Sequence, residues 1–164
     1  MALKPDRNEH LTDLSFFMNE TGERGKIVMF YDVTAGSGSA MDSANQRVNA
    51  PTGTVGADFQ PAAGLLLNDV VNLDLTRQHL NFQKDEVQIG SKVLLLTRGF
   101  VVTNNVSGTP VAADVGKPLY VASSVGGYAG NLTLTNSGGP KVGRLLSIKD
   151  EDGYAKVDID VTWQ

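Results

Sequence analysis

The sequence contains no cysteine, which excludes disulfides, thiolate metal ligands and cysteine nucleophiles. It has only two histidines, His10 and His79. Its apolar runs, such as 65–67 and 93–96, are far too short to cross a bilayer as a helix. Fourteen basic against eighteen acidic residues give a net charge of −4, which opposes a role that depends on neutralising nucleic-acid phosphates. We therefore expect no nucleic-acid partner, no membrane partner and no cofactor.

The residues that are present favour β-structure. A length of 164 residues suits one domain, and 18 glycines with a hydrophobic content of 41% are typical of a chain of strands and tight turns. We predict roughly eight to ten short strands. The last strand is the clearest, since its apolar residues alternate with polar ones; they are Val157, Ile159, Val161 and Trp163, against Lys156, Asp158, Asp160 and Thr162. The predicted fold is a mainly β, compact sandwich or barrel-like domain.

Composition divides the chain into an arm and a domain. Residues 1–24 have mixed charge and no clear period, which indicates an extended N-terminal arm. Residues 25–164 form the single β-rich domain, which begins with a buried strand over 25–33. A Gly/Ser-rich segment at about 34–58 interrupts this domain, and we interpret it as a long exposed loop. A break at Arg98-Gly99 predicts a bulge or bend between two apolar runs.

Candidate catalytic and metal sites are few, and each has a simpler interpretation. Asp150 and Asp152 before Gly153 match only part of a calcium loop, so we favour a solvated turn. Paired acids such as Asp158 and Asp160 on one strand face usually form a wet outer surface. A catalytic triad would need a nucleophile elbow beside the second histidine, and the sequence has none. We assign no catalytic, metal or cofactor-binding residue, and we expect no enzyme.

One apolar group in the arm suggests adhesion. Leu14, Phe16, Phe17 and Met18 would each gain about 1.5–3 kcal/mol on full burial. Ordering about ten residues of backbone costs about 10–20 kcal/mol, so the burial of these side chains alone does not clearly outweigh the entropic cost. Such an arm needs main-chain hydrogen bonds from strand addition to a partner, or many copies acting together. The alternative is that the segment packs as an ordinary first strand on its own domain.

The chain resembles the capsid decoration, or cement, proteins of tailed bacteriophages. The resemblance rests on the segment TDLSFFMNETGERGKIV, on GKPLYV followed by PKVGRLLSI, and on the closing VDIDV strand. It implies a β-tulip-like structural protein, commonly a homotrimer. Such a protein is made in the host cytoplasm and binds major capsid proteins on the outer surface of the virion. It also implies that Leu14, Phe16, Phe17 and Met18 contact the viral capsid and help to stabilise the shell against internal DNA pressure.

Two other classes stay open at this point. A surface-displayed binding module, such as a head-fibre base or a carbohydrate-binding β domain, would need Tyr120, Tyr128 and Trp163 to converge in space. An enzyme would need His79 to meet an acid and a nucleophile. On the decoration-protein interpretation, we expect that deletion of residues 1–20 leaves a folded protein that attaches more weakly to capsids.

Overall fold

The computed structural model describes residues 2–31, 47–51, 60–72, 85–122, 129–136 and 138–162. These residues are mainly β, which confirms the predicted fold class. Their strands are β1 (Asn8–Asp13), β2 (Phe17–Met18), β3 (Ile27–Tyr31), β4 (Arg47–Asn49), β5 (Ala62–Leu66), β6 (Asp69–Val71), β7 (Glu86–Gln88), β8 (Leu95–Thr103), β9 (Pro118–Val121), β10 (Leu132–Thr133), β11 (Lys141–Leu145) and β12 (Ala155–Asp160). A short 3-10 helix, Ala112–Asp114, precedes β9.

Ten of these strands form one mixed sheet centred on β8. The strand order is β10-β9-β11-β12-β8-β5-β3-β4-β2, and β1 pairs with β8 outside this path. Strand β8 pairs with β12 along 98–103, with β5 at 95–96 and with β1 along 95–100. Strands β6 and β7 form a separate parallel pair. This topology is compatible with a β-sandwich-like domain.

Strand β5 lies between two hydrophobic clusters. Successive side chains of a strand point to opposite faces, so Leu65 enters one cluster and Leu66 the other. Both side chains are fully buried. The larger cluster also contains Val101, Val157 and Ile159, and it lies under the face of the sheet that β8 and β12 form. A strand with both faces covered is expected to have a continuously apolar sequence, and the sequence of β5, AAGLL, has this character.

The clearest sequence prediction, the last strand, is confirmed over the described residues. Val157 and Ile159 are fully buried, whereas Asp158 and Asp160 alternate with them on the opposite face. Trp163 lies outside the described residues. The turn before this strand is also present, because the Gly153 amide donates to the Asp150 carbonyl at 2.9 Å.

The irregularity predicted at Arg98-Gly99 occurs in the pairing of β8 with β1 and involves both strands. Strand β8 runs through this position without a break, while β1 pairs Glu9 with Gly99 and Leu11 with Arg98. His10 is therefore the extra residue of a bulge in β1, and the next pair, Thr12 with Leu96, leaves Thr97 as the extra residue in β8. A Cβ atom at Gly99 would collide with the Asn8 carbonyl oxygen, so glycine allows the backbones to approach closely.

The predicted loop at 34–58 differs from the structure where it can be compared. Arg47–Asn49 form β4, which pairs with both β2 and β3, and Val48 is fully buried. A lone valine in a Gly/Ser-rich segment gives no periodic signal, so sequence reasoning missed this strand. Residues 34–46 and 52–58 of the predicted loop lie outside the described residues.

The N-terminal segment is paired with the domain's own sheet. Ala2 and Leu3 are buried, β1 pairs antiparallel with β8, and β2 pairs parallel with β4. The Ala2 carbonyl accepts a hydrogen bond from the fully buried Thr103 hydroxyl at 2.8 Å. Residues 2–18 thus follow the alternative interpretation, that of strands of their own domain. A detached state of this segment on a partner stays a prediction.

Thr103 is expected to be important in fixing the N-terminus. Its hydroxyl oxygen accepts a hydrogen bond from the Asn105 amide at 3.1 Å while it donates to Ala2. In Thr103→Val the buried Asn105 amide loses this acceptor, so we expect the free energy of unfolding to fall by about 1–3 kcal/mol. Urea unfolding measures this loss. Thr135→Val on the surface is the matched control, and an equal effect in both variants would contradict the assigned role.

Candidate functional site

The four residues predicted to form the adhesive arm have different environments. Leu14 is 56% exposed, whereas Met18 is 1% exposed and belongs to the smaller hydrophobic cluster. Phe16 is half-buried and packs against the same cluster. Phe17 is half-buried, and the Lys92 ammonium lies 5.5 Å from the centre of its ring. Leu14 is therefore the most accessible member of this group, Phe16 and Phe17 are partly accessible, and Met18 is not accessible.

Phe16 belongs to a larger apolar surface, and Leu14 lies two residues before it in the chain. Leu11 is 52% exposed and Phe30 is 40% exposed. The rings of Phe16 and Phe30 meet edge to face, with centroids 5.3 Å apart. Beside them is a shallow groove of about 450 Å³, lined by residues that include Leu11, Phe16, Phe30, Pro61, Ala62 and Val161. We call Leu11, Leu14, Phe16 and Phe30 the apolar surface.

Local hydrogen bonds hold the turn that carries Leu14. The Ser15 amide donates to the Asp13 carboxylate at 2.7 Å, and the Ser15 hydroxyl contacts the same oxygen at 2.5 Å. After the turn, the Phe16 carbonyl accepts from the Val93 amide at 3.0 Å. Before the turn, the Leu11 carbonyl accepts from the Thr97 hydroxyl at 3.0 Å. Leu14 is thus displayed on an ordered corner, because both flanks are bound to the sheet.

Sequence reasoning found only part of this surface. Phe30 was included in a strand predicted to be buried, but β3 buries Ile27 to Met29 and exposes Phe30 and Tyr31. Leu11 was missed because it stands between polar residues in a strand that buries no side chain. The apolar type of these residues was visible in the sequence. Their exposure depends on which strands cover β3 and β8, which the sequence pattern does not encode.

The acidic candidates are engaged in ion pairs. Asp158 accepts a hydrogen bond from the Arg144 Nε at 3.0 Å, and Asp160 lies 3.8 Å from the Arg98 Nε. The hydroxyl of Thr162 donates to Asp160 and lowers the pKa of that carboxyl below its ordinary value. Both carboxylates thus take part in ion pairs on a solvent-exposed face of the sheet. His79 and Tyr128 lie outside the described residues.

Asp150 closes a contact between the N-terminus and the turn before β12. The Lys4 ammonium donates to its carboxylate at 2.7 Å, and the Tyr154 amide donates to the other oxygen at 2.7 Å. These two hydrogen bonds, that of Lys4 first, lower the pKa of Asp150. Across the part of the chain that the structure describes, no group of three or more histidines or acids could hold a metal ion.

Comparisons with known proteins assign no family to this chain. No protein-family model matches it, and no curated protein matches it either. Within the described ranges, no helix combines the length and the apolar character that crossing a bilayer requires. The resemblance to capsid decoration proteins therefore stays a prediction that rests on sequence patterns.

Proposed function

We propose that this chain is a structural virion protein that binds the outer surface of a bacteriophage capsid and cements neighbouring major capsid proteins. The observation that supports the proposal best is the apolar surface, where Leu11, Leu14 and Phe30 are each at least 40% exposed and where Leu11 and Phe30 line a shallow groove. Exposed apolar groups that cluster in this way are typical of protein interaction sites. The partner in this proposal, the major capsid protein, is the one that the sequence resemblance implies. The apolar surface is the part of the chain that would contact it.

Order in the N-terminal segment favours binding through this surface. A flexible arm of about ten residues would lose about 10–20 kcal/mol of conformational free energy on attachment. Residues 8–18 are instead held by β8 and β4, so the side chains of the apolar surface are presented with their backbone already fixed. Each large side chain would then contribute about 1.5–3 kcal/mol on complete burial against a partner.

Many copies would make this contact effective on a shell. One surface with three or four accessible apolar side chains gives only a weak contact after the entropy of association is subtracted. A homotrimer on an icosahedral lattice would present the surface three times, and linked contacts gain avidity from their high effective concentration. We therefore propose a trimer as the unit that stiffens the capsid against the pressure of packaged DNA.

Binding to expanded empty capsids tests the proposal. We expect the wild-type chain to saturate capsids at a fixed ratio per capsomer and to ignore glycans. Leu14→Asp should weaken binding at least about tenfold, because it places a charge in an apolar contact, without a change in melting temperature. Val111→Asp is the matched control, since Val111 is 58% exposed but lies beside the 3-10 helix.

Three results would contradict the proposal. One is the absence of capsid binding by the wild-type chain at micromolar concentration. Another is an equal loss of binding in Leu14→Asp and Val111→Asp, which would show that charge alone controls attachment. The third is binding to a glycan without binding to capsids, which would favour the carbohydrate-binding module.

A further inference from the structure

A second groove crosses the outer face of the sheet, and none of its lining residues belongs to the apolar surface. It has a volume of about 810 Å³, and its lining includes His10, Arg98, Phe100, Lys141, Arg144 and Asp158. These residues come from β1, β8, β11 and β12, which are neighbours in the sheet. The groove is thus built on strands, which hold side chains in more fixed positions than loops do.

Positive charge is concentrated in this groove although the whole chain carries a net charge of −4. Arg98, Lys141 and Arg144 line it together with two carboxylates, those of Asp158 and Asp160. A fourth cation lies beside the groove, because the Lys156 ammonium is 4.7 Å from the centre of the Phe100 ring. Four cations against two acids favour an anionic ligand.

The two arginines are oriented by the acids and still face solvent. Arg144 contacts Asp158 through Nε at 3.0 Å, and its side chain is 62% exposed. Arg98 lies 3.8 Å from Asp160 through Nε, and its side chain is 64% exposed. The Arg144 contact is a hydrogen bond through Nε, whereas the Arg98 contact is an ion pair at longer range. The terminal nitrogens of a guanidinium carry N–H donors whose fork geometry fits a carboxylate.

The spacing of the strands favours an extended ligand over a single small anion. Strand β12 lies between β8 and β11, and it pairs Asp160 with Arg98 but Asp158 with Arg144. The two arginines are thus two strand intervals apart and offset by two residues, which places their backbones about 12 Å apart. Carboxylates four residues apart in an extended peptide point to the same face and are about 14 Å apart, at about 3.4 Å per residue. The long arginine side chains can span the remaining difference. The rings of His10 and Phe100, 5.9 Å apart, provide an aromatic floor for the stems of such side chains.

We propose that this groove binds an acidic, extended segment of a partner protein, with Arg98 and Arg144 each contacting one carboxylate. Asp158 and Asp160 position the guanidinium groups, while Lys141 and Lys156 add attraction at longer range. The site is independent of the capsid proposal, because it uses different residues and its ligand is recognised by charge. It would act as a second point of contact on the face of the sheet that β8 and β12 expose.

Titration of the full-length chain with hexaglutamate at low ionic strength tests this proposal, with hexaglutamine as the neutral probe. We expect hexaglutamate to bind and hexaglutamine not to bind. Arg98→Gln and Arg144→Gln should each weaken binding about three- to fivefold, as expected for exposed ion pairs. Lys117→Gln is the matched control, since Lys117 is a 56% exposed cation that is paired with Asp114 and does not line the groove, and it should change affinity less than twofold.

Other outcomes would overturn the assignment. Equal binding of both peptides would show that the groove does not recognise charge. If hexaglutamate does not bind at millimolar concentration, the groove is not a binding site for acidic peptides. Inorganic phosphate that binds as tightly as the peptide would indicate a simple anion site. Tighter binding of a six-nucleotide oligothymidylate would indicate a nucleic-acid surface. An equal loss in Lys117→Gln and Arg144→Gln would show that only the net charge of the chain matters.

Discussion

Deletion of residues 1–20 is expected to unfold most of the chain at room temperature. The deletion removes Leu3 and Met18, which are 3% and 1% exposed and belong to different hydrophobic clusters. Loss of a buried leucine or methionine side chain costs about 2–5 kcal/mol, so the two together approach the total stability of about 5–15 kcal/mol that a domain of this kind has. Strands β1 and β2 are lost as well. Circular dichroism and urea unfolding of the truncated chain measure the effect.

This result would reverse the expectation from the sequence, in which the shortened chain stays folded. Two single variants separate a role in the core from a role at the surface. Met18→Ala should lower the free energy of unfolding by about 2–5 kcal/mol, whereas Leu14→Ala should change it by less than about 0.5 kcal/mol. A truncated chain with the melting temperature of the full chain would restore the interpretation of residues 1–24 as a detachable arm.

The strand predicted most clearly from the sequence, β12, has one buried face. Val157 and Ile159 alternate with charged residues in β12, and this period of two survives in the structure because β12 covers the larger cluster. Strand β1 has no such period, since five of its six residues are exposed. Its strand conformation comes from main-chain pairing with β8, which side-chain patterns do not report.

The candidate site was predictable in residue type but not in residue position. The apolar group from Leu14 to Met18 was visible in the sequence, yet it divides between solvent and core. Met18 is buried because β2 joins β4, a strand that comes from the Gly/Ser-rich segment. Phe30 is exposed although it belongs to an apolar strand. Both outcomes depend on pairing between segments distant in sequence, which local patterns cannot specify.

Gly143→Ala is expected to be the most destabilising single-methyl change in the β11–β12 pair. Gly143 pairs with Ile159, and a Cβ atom at this position would collide with the carbonyl oxygen of Asp158. The obstacle is backbone, so it cannot move aside as a flexible side chain could, and the two strands must separate. Since β12 contributes fully buried residues to the larger cluster, we expect a loss of about 3 kcal/mol or more in the free energy of unfolding.

Gly153→Ala provides the control for this prediction. Gly153 has a positive φ of 83° in the turn before β12, but no atom lies within 4 Å of a Cβ atom placed there. Backbone strain alone should therefore cost about 1 kcal/mol. Urea midpoints of the two variants should differ clearly, and the loss should be larger for Gly143→Ala. If Gly143→Ala is at least as stable as Gly153→Ala, then β11 and β12 do not approach each other as closely as described here. The register that places Arg144 beside Asp158 would then be wrong as well.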